Sequence, residues 1–228
     1  MGTRLSIWLS RGATFMKAAI VLLLIGLALQ VRGTEASSSL TTEAANEASA
    51  TFASQSGGLR TSAEIIVAET EVASSAGVER GFHADIEILQ IDTRGGHNRM
   101  IDVAGSVDTL DAPTVIQDDL STASVEVTIP VCGARPLHNG RLKQRPFTEC
   151  FDVQVALDWT STGEIYSASG PFDYSLGNCT VHEFSSYRRN AASSTGTIMV
   201  GGINLAAGPS TAASLGAYDR SATVTCPD

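Results

Sequence analysis

Lysine is almost missing from this chain of 228 residues, with Lys17 and Lys143 the only two. Basic residues number 15 against 24 acidic, a formal net charge of −9. That balance argues against nucleic acid as a partner, because phosphate contacts need clustered cations. No apolar run reaches the roughly 20 residues a membrane-spanning helix requires. No G-x-S-x-G elbow, P-loop or G-x-G-x-x-G fingerprint is present, so acyl-transfer and nucleotide chemistry leave no local signature. C-x-x-C is absent too, which disfavours structural zinc, and neither a metal nor a cofactor is expected. After Gly58 no segment keeps an i, i+3, i+4, i+7 apolar stripe, which disfavours helices.

What is present suffices for a core. Hydrophobic residues make up 43% of the chain and charged residues 17%, far from the composition of a fully disordered polymer. The run from Ala18 to Val31 is 14 apolar or uncharged residues behind Lys17, Arg11 and Arg4. That length and flank suit a secretory signal peptide over residues 1–33, with Met16-Lys17 offering a second, compact start. A retained anchor or a buried helix is the alternative. Cleavage would leave 11 basic against 24 acidic residues, a formal −13, and no attraction to an anionic membrane surface. The expected compartment is extracellular or periplasm-like.

Cys132, Cys150, Cys179 and Cys226 all follow the leader, and four cysteines allow three connectivities. The local pairing, Cys132–Cys150 and Cys179–Cys226, is the favoured one. It closes loops of 17 and 46 residues, each stabilising by about 3–4 kcal/mol in the chain-entropy model.

Residues 34–60 are rich in Ser, Thr, Ala and Glu and read as a flexible spacer, an ordered helix being the alternative. From residue 61 to 228 period-two alternation takes over. Strands are expected at Ala63–Val72, His83–Asp92, Arg99–Val107, Ser121–Val131 and Phe151–Trp159. Further strands are expected around Ile165 and at Val181–Tyr187, Gly196–Ile203, Ala212–Tyr218 and Ala222–Cys226. Turn signals fall at Gly95-Gly96, Asn139-Gly140, Gly170-Pro171, Gly177-Asn178, Gly201-Gly202 and Gly208-Pro209. The pattern predicts an all-β domain, a two-layer antiparallel β-sandwich of about eight to ten strands.

The stretch from Val155-Ala156-Leu157-Asp158-Trp159-Thr160-Ser161-Thr162-Gly163, through Arg188-Arg189 and Ala191, to Ser194-Thr195-Gly196-Thr197 carries a pattern. With Val103–Val107 and Leu120–Val125 upstream, it resembles a loose group of exported bacterial proteins whose core reads W-T-x-T-G … R-x-A … T-G-T-V. The resemblance covers about residues 62–226 and departs from the group in the long Cys132–Cys150 insertion. It implies a secreted β domain and brings no activity or catalytic residue.

That insertion, CGARPLHNGRLKQRPFTEC, is the leading candidate site. Arg135, His138, Arg141, Lys143 and Arg145 stand there against one acid, Glu149, in an acidic protein. A disulfide at its base and a turn at Asn139-Gly140 would present guanidinium forks to an anionic cell-surface polymer or a protein partner. The alternative is a solvated hairpin whose cations pair with the protein's own carboxylates. Trp159 is expected in the core with its N–H bonded near the sheet edge. His83 and Asp85 share a strand face but supply only two ligands, and Asp108, Asp111, Asp118 and Asp119 crowd one loop without an EF-hand register. A serine nucleophile served by His83–Asp85 or His182–Glu183 has no sequence signature of its own. The function expected is a secreted or envelope-associated, non-enzymatic binding module. The alternatives are a secreted hydrolase with a dispersed site and a purely structural subunit.

Overall fold

In the computed structural model, residues 38–94, 99–110, 114–137 and 139–226 are described. The expected signal peptide, His138, His97 and Asp111 lie outside them. Strands β1 (Ser38–Ser56), β2 (Leu59–Ser74), β3 (Gly77–Asp92) and β4 (Arg99–Thr109) form a meander. They are followed by β5 (Thr114–Ile116), β6 (Thr122–Cys132) and a small hairpin of β7 (Ala134–Pro136) and β8 (Leu142–Gln144). Two long strands come next, β9 (Cys150–Leu176) and β10 (Cys179–Val200), then β11 (Ile203–Asn204) and β12 (Ala212–Thr225).

The fold is all-β and antiparallel, as the alternation predicts. Its layering differs from two sheets laid face to face. One sheet runs β10-β12-β1-β2-β3-β4-β6, and β9 joins β6 back to β10, so the sheet closes into a ring. Where the ring is closed no strand edge is left open, and an eight-stranded ring is just wide enough for side chains to fill. The seam between β4 and β6 is a single pair, Gly105 with Val131. A Cβ on Gly105 would sit 2.1 Å from the Pro130 carbonyl oxygen, so glycine permits the two strands to approach there.

Most of the segment expected as a spacer, Ser38–Ser56, is instead β1, paired with β2 on one side and β12 on the other. Ala48, Ala50 and Phe52 on its inner face are buried. Neighbouring strands satisfy its backbone and small side chains suit the narrow interior, so few large apolar residues are needed. Gly170-Pro171, expected to turn, instead runs through β9 opposite Ser185 and Phe184 of β10.

The interior is filled by alternate residues from the ring strands, among them Ile65, Val67, Phe82, Ile86, Ile88, Ile129, Val153, Val155, Leu157, Trp159 and Leu215. Both ends are stoppered. At one end β5 pairs with β6 and lowers Ile116 and Leu120 into the core. At the other, the β7–β8 hairpin brings in Ala134 and Leu142. The outside of the ring carries exposed Glu64, Glu87, Asp102, Glu126 and Asp158, a polarity opposite to that of a lipid-facing barrel.

Candidate functional site: the basic hairpin end

The Cys132–Cys150 disulfide joins the last paired residues of β6 and β9, and the candidate hairpin springs from it. Gly133 takes φ +91 directly after the bridge. Its N–H donates to Glu149 O at 3.1 Å, and its carbonyl accepts from Arg145 N at 2.8 Å. The hairpin is then pinned to the barrel by a residue of β3. The Gln90 amide donates to Gly140 O (2.9 Å) and Thr61 Oγ1 (3.2 Å), and its oxygen accepts from Leu142 N (2.7 Å). The candidate loop is therefore a lid packed on the barrel, with the Gln90 amide satisfied by backbone and side-chain partners as burial demands.

Its cations divide into two groups. Arg141 donates to Asp92, whose carboxylate also accepts from Arg94 Nε (2.9 Å) and Nη2 (3.2 Å). Hydrogen bonds from Arg94, with Arg141 adding charge, hold the Asp92 carboxyl well below the usual carboxylate range. Arg145 lies 3.6 Å from Glu149. These two arginines follow the alternative reading, in which the hairpin's cations pair with the protein's own acids. Arg135 and Lys143 do not. They face each other directly across β7 and β8, both exposed, with no ion-pair partner among the described residues. Arg135 also lines a shallow hollow with Pro136, Leu137 and Gly201, and Phe147 lies beside it all on Gly133, 84% exposed.

Topology adds cations that the hairpin's own sequence does not contain. Arg60, Arg94 and Arg99 lie within three residues of the turns at this same end. With the four cations of the hairpin, seven of the eleven basic residues in 38–226 gather here. Arg80, Arg188, Arg189 and Arg220 are the others, and the remaining body is strongly acidic.

His83 and His182 lie outside the hairpin, each held by its own acid or acids. His83 Nε2 meets Asp85 Oδ2 at 2.7 Å, and its Nδ1 meets Asp108 Oδ1 at 2.6 Å. Hydrogen bonding to Asp85, then to Asp108, raises its pKa to about 9 against the cost of burial. With both ring nitrogens occupied, this imidazolium has no lone pair for a serine proton or a metal. The acid that sequence could not name as a third partner is thus Asp108, brought over by β4. The other described loop acids, Asp118 and Asp119, bond elsewhere. Asp118 accepts from Asn46 at 3.3 Å, and Asp119 accepts from Ser121 N at 2.9 Å. His182 pairs with Asp173 at 3.0 Å, while its chain neighbour Glu183 binds Arg220 at 2.7 Å.

Gln90 and Asp92, the hairpin's two anchors, carried no sequence signal beyond their inward parity at the end of β3. The second bridge, Cys179–Cys226, is formed as the spacing favours. Two disulfides are compatible with an extracellular or periplasmic location.

No protein-family model matches the chain, and no curated protein matches it. Among solved structures it aligns with the translocator domain of autotransporter NalP from Neisseria meningitidis. Identity is 12%, over 96% of this chain and 98% of that one, with a TM-score of 0.17.

Proposed function

We propose that this protein is an exported, non-enzymatic binding module that docks an anionic polymer of the cell surface through its basic hairpin end. Its leader, residues 1–33, is removed, and the oxidising compartment beyond the membrane closes both bridges. On this reading it belongs with the exported bacterial β proteins that its W-T-x-T-G … R-x-A core resembles. The observation that carries the proposal is the direct opposition of Arg135 and Lys143. Like charges facing each other across two strands are destabilising, and here disulfide and Gln90 anchors keep them in place. An anion placed between the two side chains relieves that repulsion, and arginine's fork matches a carboxylate or phosphate group.

The test is chromatography on immobilised polygalacturonate and dextran sulfate, eluting with salt. The double variant Arg135→Glu/Lys143→Glu should elute at much lower salt than the parent, because the affinity comes from exposed charge. Elution of parent and variant at the same salt would sink the proposal. Arg141→Gln is the comparison variant, since its guanidinium is already committed to Asp92.

A further inference from the structure

All four tyrosines of the chain stand on one face of one sheet, although 52 residues separate the first from the last. Strand pairing aligns them. Tyr187 is directly opposite Tyr218, Tyr166 is opposite Arg189, and Tyr174 is opposite Val181. Phe172 shares the parity of Tyr166 and Tyr174 on β9, and its ring lies 5.7 Å from that of Tyr174. Tyr166 and Phe172 are 66% and 62% exposed. This face lies beyond the barrel proper. β6 stops at Thr122, opposite Thr160, so the rest of β9 pairs with β10 alone among the described strands.

Charged groups are set between the rings. Arg220 donates to Glu183 at 2.7 Å, lies 3.8 Å from Glu43, and reaches the Tyr174 hydroxyl at 3.5 Å. Further along, Arg189 and Glu47 flank Gly216 from β10 and β1. From Tyr166 to Tyr174 is eight residues, a track of about 27 Å at strand rise.

We propose that this tyrosine face is a second binding site, and that its ligand is an uncharged linear glycan. Three features select that chemistry. Aromatic faces are electron-rich and take the C–H-lined face of a sugar ring, as they take other weakly positive edges. Exposed Tyr166 can accept and donate, and the exposed Arg189 guanidinium can donate, hydrogen bonds to vicinal hydroxyls, whereas Arg220, Glu43 and Glu183 are largely buried and paired with one another. The face carries two arginines against three glutamates, which gives an anionic polymer nothing to grip. Protein partners are the competing occupant, but protein interfaces are depleted in glutamate, and here Glu43, Glu47 and Glu183 share the face with the rings.

The test is native affinity electrophoresis of the oxidised protein in gels containing hydroxyethylcellulose, xyloglucan or galactomannan. At least one gel should retard the parent. The retardation should persist at raised salt, be lost in Tyr166→Ala/Phe172→Ala, and survive in Arg135→Glu/Lys143→Glu. Both aromatic substitutions are at exposed positions, and near-ultraviolet circular dichroism checks that the fold is kept. Should the double variant lose its fold, Tyr166→Ala alone is read the same way. No retardation in any gel, or retardation indifferent to Tyr166 and Phe172, overturns the proposal. A concentration-dependent dimer that these substitutions dissolve, without glycan binding, assigns the face to a second copy and also overturns it. The salt response separates this site from the basic hairpin end, whose failure or success leaves this result untouched.

Discussion

The indole N–H of Trp159 donates to the carbonyl oxygen of Ser49 at 2.9 Å, joining residues 110 apart in the chain. One partner is the most legible core residue of the sequence, 1% exposed, and the other lies in the segment whose composition suggests a spacer. Burial of the ring and satisfaction of its donor are thus both met by β1, which completes the barrel wall.

Trp159→Ala should cost about 3–5 kcal/mol, the usual loss for removing a large buried aromatic ring. Urea unfolding followed by circular dichroism measures it. A loss below about 1 kcal/mol would show that β1 and β9 do not pack as described. Removing residues 38–56 should abolish the cooperative transition altogether.

Gly105→Val tests ring closure. Its Cβ would collide with the Pro130 carbonyl, so the seam must open, at about 1–3 kcal/mol or more by the cost of overpacking. Hydrogen exchange should quicken selectively along β4 and β6. Unchanged protection there would mean that the seam is not close-packed.

Asp92 governs the acid limb of stability. Its folded pKa lies below the unfolded value of about 4, so its contribution is complete above that value and fades as pH falls through the folded one. Melting temperature measured below pH 4 should fall less steeply in Asp92→Asn than in the parent, from a lower starting point. Parallel slopes would remove Asp92 from the account.

His83 governs the alkaline limb, with the opposite sign. Its pKa, raised to about 9, makes its ion pairs fully present below the unfolded value of about 6.5 and lost as pH climbs through 9. His83→Gln should flatten the decline in stability between these values. Titration by NMR should show the imidazole charged at neutral pH, and a midpoint near 6.5 would refute the arrangement with Asp85 and Asp108.

Reduction of both bridges should lower stability by several kcal/mol, about 3–4 for each loop in the chain-entropy model. Non-reducing digestion should release peptides linked through Cys132–Cys150 and Cys179–Cys226. Any other linkage would displace the hairpin from its anchors.

Much of the wall could be read locally. Val125, Ile129, Val153, Val155 and Leu157 alternate with polar residues, and every one of them is buried in the structure. The hairpin end was half legible. Its charge excess is plain in the residue order, whereas the commitment of Arg141 to Asp92, 49 positions away, is not. β1 was not legible, because a strand lined by alanine and serine is recognisable only from the neighbours that flank it.

By itself the sequence determined the period-two texture, the inside and outside of most strands, the even cysteine count and the concentration of cations between Cys132 and Cys150. Each is a local property, set by side-chain alternation over a few residues or by composition. Tertiary structure alone decided that the sheet closes on itself, that Asp108 completes the clasp on His83, that Arg135 and Lys143 are the described hairpin cations left without an acidic partner, and that four scattered tyrosines share one face. Those outcomes depend on register between strands far apart in the chain, and a one-residue slip in any of them would turn the side chains to the opposite face.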